Sequence, residues 1–132
     1  MRPIAECTTR TCTFVLDRIV HARFLPGAEV TLEDARENLA ATIGLTSGRA
    51  VPVLVDLRDV RSQTAEARAH FSGPEGRQVT AAVALLVASP LSRAVGNFYL
   101  GFNRPSTPTR LFTDAREAET WLLTFVDPEG DP

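Results

Sequence analysis

Val-Pro-Val-Leu-Val-Asp-Leu (51–57) decides the fold of this chain, together with a second apolar stretch, Ala-Ala-Val-Ala-Leu-Leu-Val-Ala (81–88). Both stretches are too short for an ordinary buried helix, and a helix-sized segment separates them. Continuous hydrophobicity is typical of a strand that is covered on both faces, which usually means a parallel sheet beneath helices. We therefore predict an α/β domain that is built around these two strands.

The flanking segments extend this pattern in both directions. Alternation of apolar and polar residues predicts an antiparallel hairpin over residues 4–24, broken at Asp17-Arg18. Thr31 and Asp34 are spaced as an approximate capping box, which predicts a helix that ends at Gly44 or Gly48. Capping residues predict three further helices, which are a helix over 65–71 after Thr64, a helix over 90–102 after Ser89-Pro90 and a helix after Asp114. A last strand is predicted over 109–113.

The element order predicts a mixed, mostly parallel sheet of about five strands, with an N-terminal antiparallel hairpin and about four helices. We expect residues 1–132 to form a single domain, with an ordered core over about 4–126 and a frayed acidic tail over 127–132. The net charge is −2 and the 14 basic residues, all arginine, are scattered, so we expect no nucleic-acid partner. We expect no membrane span and a cytoplasmic location, because no apolar run has the length of a span or of a signal peptide.

The side chains that usually carry catalysis are sparse. Cys7 and Cys12 are five residues apart in a predicted strand, so they are expected on opposite faces, unable to pair and packed as small apolar groups. His21 and His70 are expected at the surface, and no sequence signature links either one to a nucleophile. We therefore predict no catalytic residues, no metal site and no cofactor.

Three segments resemble a known family. The segment VLVDLRDVRSQTAEAR (53–68) resembles the strand–loop–helix core of STAS domains, the fold of bacterial anti-sigma-factor antagonists. With AVALLVASPLSRAVGNFYLGFNRP (82–105) and RLFTDAREAETWL (110–122), the likeness becomes closer to small uncharacterised bacterial proteins of SpoIIAA-like, Sec14-like type. The resemblance covers about residues 10–126 and implies a STAS-like fold and a regulatory, protein-interaction role.

The resemblance also implies a phosphorylation switch. In the antagonists, a serine near the start of the helix after the central strand is phosphorylated by a partner kinase. Ala65 occupies that position in this chain, and alanine cannot be phosphorylated. A shift of one or two residues in the loop brings Ser62 or Thr64 to the same place, and these two are the candidate phosphosites.

The carboxyl ends of the two central strands are a possible ligand site. Open α/β sheets bind ligands at this edge, and Arg58 follows one strand while Ser89, Ser92 and Arg93 follow the next. The free N–H groups of a Ser-Pro helix start can hold a phosphate or carboxylate. We favour a simpler role for the same residues, in which Ser89 only caps its helix and Arg58 pairs with a neighbouring aspartate.

The predicted helix over 90–102 offers a possible partner interface. The apolar stripe of this helix is expected to face the sheet. The outer face and flank then carry residues that are typical of a protein interface, namely Arg93, Asn97, Tyr99, Leu100 and Arg104. A lone exposed leucine is also common and needs no explanation. We expect a non-catalytic module that binds another protein or itself, as a homodimer. The alternative is a binding protein for a small anionic or lipid-like ligand at the strand ends.

Overall fold

A computed structural model describes residues 5–7, 11–16, 18–27, 29–71, 73–90, 93–94 and 107–126. The strands are β1 (Ala5–Cys7), β2 (Thr11–Leu16), β3 (Ile19–Phe24), β4 (Glu29–Val30), β5 (Val51–Asp56), β6 (Ser62–Gln63), β7 (Thr80–Leu86) and β8 (Thr109–Phe112). The helices within these residues are α1 (Leu32–Thr46), α2 (Ala65–Phe71), α3 (Pro74–Val79) and α4 (Ala115–Leu123).

Six of the strands form one sheet in the order β1-β2-β3-β5-β7-β8. The pairings of β1 with β2 and of β2 with β3 are antiparallel. The pairings β3–β5, β5–β7 and β7–β8 are parallel. The predicted fold class is therefore confirmed, and the short strand β1 extends the expected sheet by one. Strands β4 and β6 form a separate two-stranded parallel sheet, which was not predicted.

The two central strands are covered on both faces, as their continuous hydrophobicity predicted. One face belongs to a core cluster that includes Phe24, Leu57, Val83 and Leu85. Leu54, Leu86 and two buried alanines of β7 lie on the opposite face, where Leu122 of α4 packs against them. Full burial of one leucine side chain stabilises a fold by about 1.5–3 kcal/mol. These layers therefore hold α1, α2 and α3 on one side of the sheet and α4 on the other.

The beginning and the end of α1 follow from local hydrogen bonding. Thr31 Oγ1 accepts from the Asp34 N–H at 3.4 Å, and Asp34 Oδ2 accepts from the Thr31 N–H at 3.0 Å. The predicted capping box is thus confirmed. The helix continues through Gly44 and ends where Ser47 and Gly48 adopt left-handed backbone conformations, with φ of 56° and 78°. Of the two predicted ends, the one at Gly48 is therefore correct.

Two of the other predicted helix starts are confirmed. Thr64 Oγ1 accepts from the Ala67 N–H at 3.1 Å and so caps α2. Asp114 Oδ1 accepts from the N–H groups of Arg116 and Glu117 at 2.8 and 3.1 Å and caps α4. Most of the predicted helix over 90–102 and the tail over 127–132 lie outside the described residues.

The prediction for the cysteines was wrong. Cys12 is disulfide-bonded, and the described residues contain no free cysteine. The error came from assigning Cys7 and Cys12 to one strand. They belong to two antiparallel strands instead, and the register of β1 and β2 places Cys7 directly opposite Cys12.

The prediction of a surface position for His21 was also wrong. Its side chain is 9% exposed, and its ring stacks on that of Phe14 with 4.9 Å between the ring centroids. Phe14 and His21 face each other across β2 and β3. Aromatic pairs directly across two antiparallel strands stabilise a sheet, so the imidazole is part of the packing between these strands. His70 is half-buried.

Candidate functional site

The carboxyl ends of β5, β7 and β8 are aligned at one edge of the large sheet. The Leu57 N–H donates to the Leu86 carbonyl at 2.8 Å, and the Val87 N–H donates to the Phe112 carbonyl at 2.9 Å. Because these bonds continue the strand pairing, the segments that begin at Arg58 and Ser89 leave from neighbouring strand ends. Ligands of open α/β sheets commonly bind at such an edge.

Arg58 is held by Asp56 at this edge. Its Nε donates to Asp56 Oδ1 at 3.0 Å and its Nη2 donates to Asp56 Oδ2 at 2.8 Å. Burial by itself would raise the pKa of Asp56, but the hydrogen bonds and positive charge of Arg58, with a contribution from Arg23, bring that pKa below its ordinary value of 3.8. The Arg58 side chain is 44% exposed, so it is accessible to an anion from solvent. Such an anion would compete with Asp56 for the hydrogen bonds of Arg58.

The other predicted ligand and interface residues are only partly described. Ser89 is half-buried, and its carbonyl accepts from the Arg93 N–H at 2.9 Å. Arg93 is exposed. The remaining predicted residues lie outside the described part of the chain, namely Ser92, Asn97, Tyr99, Leu100 and Arg104.

The two candidate phosphosites lie in different surroundings. Ser62 is exposed in β6, whereas Thr64 is half-buried and its hydroxyl caps α2. The loop after β3 lies beside them, because the Gly27 N–H donates to the Asp59 carbonyl at 2.9 Å. These two loops share a set of exposed residues, which we call the edge surface: Leu25, Pro26, Asp59, Arg61 and Ser62.

A cavity lies between α1, α3 and the large sheet. It encloses about 540 Å³ of space not filled by atoms, including the part that opens to solvent. Its described walls are mainly apolar, and the described lining residues are Phe24, Asn38, Leu39, Thr42, Val53, Val55, Leu57, Gln63, Gly76, Thr80, Val83 and Leu85. Of the predicted ligand residues that the structure describes, Arg58, Ser89 and Arg93, none lines this cavity.

Two of the polar residues in the cavity wall belong to a buried row on α1. Asp34, Asn38, Thr42 and Thr46 recur every four residues and are all buried. Asn38 Nδ2 donates to Thr13 Oγ1 of β2 at 3.0 Å. The Thr42 hydroxyl donates to the Asn38 carbonyl at 3.0 Å, and the Thr46 hydroxyl donates to the Thr42 carbonyl at 2.8 Å. Buried polar groups are normally paired in this way.

The sequence analysis missed this row, although the sequence contains a signal for it. The apolar residues Ala35 and Leu39, which recur at helical spacing on α1, are buried. Residues four apart share a helix face, so the spacing of Asn38 and Thr42 places both beside Leu39. Polar residues at helical spacing next to a buried stripe therefore indicate a polar patch in an otherwise apolar interface.

Metal-binding clusters and membrane-spanning helices are both absent from the described residues. No group of three or more His, Cys, Asp or Glu residues is placed there to hold a metal ion. Among the helices of that part of the chain, none combines the length and hydropathy that crossing a bilayer requires.

The arrangement of the sheet matches that of a known fold. A DUF3478 family protein from Shewanella loihica PV-4, whose crystal structure has a SpoIIAA-like fold, is similar to this chain with a TM-score of 0.58. The likeness covers 89% of this chain and 90% of that one at 16% identity. The chain therefore has a SpoIIAA-like fold, as the sequence resemblance implied.

The family follows from the sequence comparison. The model of the family DUF7793, a domain of unknown function, matches residues 13–126, so the chain belongs to that family. A protein of unknown function from Arthrobacter sp. FB24 is 33% identical, over 81% of this chain and 93% of that one, with a TM-score of 0.30. No curated protein shows significant sequence similarity to the chain.

Proposed function

We propose that this chain is a non-catalytic regulatory module of STAS type that acts by binding another protein through its edge surface. The observation that carries the proposal is Leu25, an apolar side chain that is 39% exposed, in a loop that the Gly27–Asp59 hydrogen bond joins to the loop of the exposed residues Asp59 and Arg61. An exposed apolar group within a polar rim is the usual composition of a protein interface. The chain's likeness to the antagonist fold supports the same role.

Backbone hydrogen bonds hold the two loops of the edge surface together. The Gly27–Asp59 hydrogen bond joins its two loops, and the Thr64 N–H donates to the Val30 carbonyl at 2.9 Å. The pairing of β4 with β6 continues this connection, with Glu29 opposite Ser62. A surface that is ordered before binding loses less conformational entropy when the partner binds. These bonds therefore favour specific binding by a small set of residues.

The edge surface is favoured over the anion site for a specific reason. An anion at Arg58 must displace or share the two hydrogen bonds that Asp56 already accepts. The edge surface requires no such exchange. We therefore rank binding of a small anionic or lipid-like ligand at Arg58, Ser89, Ser92 and Arg93 as the second candidate function.

The experiment compares matched variants at and away from the edge surface. Immobilised protein captures partners from a lysate of the source cells, and each partner is then purified and titrated by calorimetry. Leu25→Gln and Arg61→Glu are expected to weaken binding about tenfold or more, as for central interface residues. Leu123→Gln and Arg116→Glu change an exposed leucine and an exposed arginine of α4 and should bind as the wild type does. Equal affinity of all four variants would exclude the edge surface.

We also propose a homodimer, on the basis of the predicted outer helix face around Leu100. Light scattering coupled to gel filtration should give twice the monomer mass of 14.4 kDa for the wild type. Leu100→Asp is expected to give the monomer mass with an unchanged circular dichroism spectrum. A wild type that elutes as a monomer at micromolar concentration would contradict the dimer and leave the edge surface unaffected.

A cytoplasmic location completes the proposal, and Cys12 provides a test of it. Disulfides rarely persist in a reducing cytosol, so the Cys12 disulfide should be reduced there. Acid quenching of cells followed by alkylation and mass spectrometry should find Cys12 alkylated. An alkylation-resistant Cys12 in fresh cells would instead place the protein in an oxidising compartment.

A further inference from the structure

The two cysteines of the chain meet at one edge of the large sheet. Cys12 is disulfide-bonded, and Cys7 is the only other cysteine in the sequence. The antiparallel register of β1 and β2 places Cys7 directly across from Cys12. Residues that face each other in this way have Cα atoms about 4.5–5.5 Å apart, which is within the usual range for a disulfide. The backbone pairing therefore brings the two cysteines within bonding range each time β1 pairs with β2.

The bond fastens the outermost strand of the sheet. β1 comes first in the strand order, and three residue pairs join it to β2. Its departure from β2 breaks no other pairing between the described strands of the large sheet. Segments held by few contacts are the ones that open locally at low free energy. The attachment of β1 therefore depends strongly on whether the disulfide is present.

The disulfide has the features of a reversible bond. It closes a ring of only residues 7–12, and a short ring restricts the unfolded chain less than a long one. The bond therefore contributes little to the stability of the rest of the fold. Cys12 is half-buried and not fully enclosed, and accessible disulfides are the ones that exchange readily with thiols.

The strand that β1 covers has no other protection at its outer edge within the described part of the sheet. β2 (TCTFVL) contains neither a charged residue nor proline. Natural sheets usually protect an edge with charged residues, with proline or with a covering segment. Of these devices β2 has the covering segment, which is β1. Opening of β1 therefore uncovers an uncharged strand edge.

We propose that Cys7 and Cys12 form a reversible redox latch, which determines whether β1 covers the outer edge of β2. A small disulfide, oxidised glutathione, closes the latch in two exchanges. One cysteine thiolate attacks the small disulfide, forms a mixed disulfide and releases one glutathione thiol. The other cysteine thiolate attacks the cysteine sulfur of the mixed disulfide and releases the second glutathione thiol. Two protein thiols are thus oxidised while one small disulfide is reduced to two thiols.

The direction of the latch follows from the compartment. In the reducing cytosol proposed above, the open thiol form is the resting state, and oxidation fastens β1 to the sheet. Reduced glutathione opens the latch again by the reverse exchanges. Neither cysteine belongs to the edge surface, so the latch is independent of the proposed protein-binding role.

The test equilibrates the intact chain in glutathione buffers of increasing oxidised fraction. Acid quenching, alkylation and mass spectrometry of the folded chain should show that the disulfide forms and breaks reversibly, with an unchanged circular dichroism spectrum. Amide hydrogen exchange then compares the two forms. Peptides that cover β1 should exchange about tenfold faster or more in the reduced form, whereas peptides of β5 and β7 at the centre of the sheet should exchange equally in both.

Cysteine variants separate the latch from other effects of the buffer. Cys7→Ser/Cys12→Ser cannot form the bond and should exchange as the reduced wild type does in every buffer. Cys7→Ser alone should accumulate a mixed disulfide of glutathione with Cys12, because the second exchange is blocked. A disulfide that glutathione cannot reduce in the folded chain, equal exchange of β1 in the two forms, or a bond that joins two copies of the chain would each overturn the proposal.

Discussion

The buried bond between Asn38 and Thr13 gives the most direct test of how α1 is attached to the sheet. Thr13 is 0% exposed and Asn38 is 5% exposed, so both partners of the bond are shielded from bulk water. Thr13→Val keeps the shape of the side chain but takes the acceptor from Asn38 Nδ2. The cost of leaving a buried donor without a partner is about 1–3 kcal/mol. We therefore expect the free energy of unfolding to fall by about 2 kcal/mol.

The assay is urea unfolding followed by the fluorescence of Trp121, the single tryptophan of the chain. With a slope of about 2 kcal/mol per molar urea, the midpoint should fall by about 1 M. Thr120→Val is the matched control, because Thr120 is an exposed threonine of α4 that bonds within its own helix. The control should change the free energy of unfolding by less than about 0.5 kcal/mol.

A second substitution tests whether the loss of stability comes from the unpaired Asn38 amide. Asn38→Leu removes the donor as well, so the double variant Thr13→Val/Asn38→Leu leaves neither group unpaired. Thr13→Val should therefore cost at least about 1 kcal/mol less in the Asn38→Leu background than alone. Strict additivity of the two substitutions, or a Thr13→Val variant as stable as the wild type, would show that the bond does not secure α1.

Two further predictions concern the strand-end region. The pKa of Asp56 is lower in the folded chain than its ordinary value, so its contribution to stability is present above that ordinary value and is lost as the pH falls through the folded value. Asp56→Asn should accordingly flatten the decline of unfolding free energy with acidification below about pH 4, measured by urea unfolding across pH, and a decline as steep as that of the wild type would contradict this role. Thr64→Ala removes the cap of α2 and should lower the free energy of unfolding by about 1 kcal/mol. Ser62→Ala, at an exposed site two residues earlier, should change it little, and an equal loss in both variants would contradict a capping role.

The sequence predicted the large sheet well because its signals are local and strong. The apolar runs of β5 and β7 are continuous, and Thr31 and Asp34 bond as their spacing indicates. The short pairing of β4 with β6 was not predictable in this way, since Glu29–Val30 and Ser62–Gln63 each contribute only two residues. Strands of that length have no periodicity to detect, and tertiary packing alone brings them together.

The candidate sites were harder to predict, because they depend on partners distant in sequence. Thr13 and Asn38 are 25 residues apart, and no local pattern in either segment predicts the hydrogen bond between them. His21 is likewise buried through its stacking on Phe14 across the hairpin. The prediction for the cysteines failed for the same reason. The antiparallel pairing of β1 with β2 was not detected, and this pairing places Cys7 opposite Cys12. Local patterns thus determine elements, whereas pairing across elements determines the sites.

The parallel half of the sheet has a consequence for how quickly the chain folds. The antiparallel pairing of β2 with β3 closes over residues 17–18, whereas the three parallel pairings must close over residues 25–50, 57–79 and 87–108. Closing a longer loop costs more chain entropy before any contact compensates for it, and sequence-distant pairing slows folding. The hairpin is therefore the natural early structure, and β5 and β7 are the segments whose apolar surfaces stay exposed longest. In a crowded cell, these two strands are where a folding chain of this family most needs protection from aggregation.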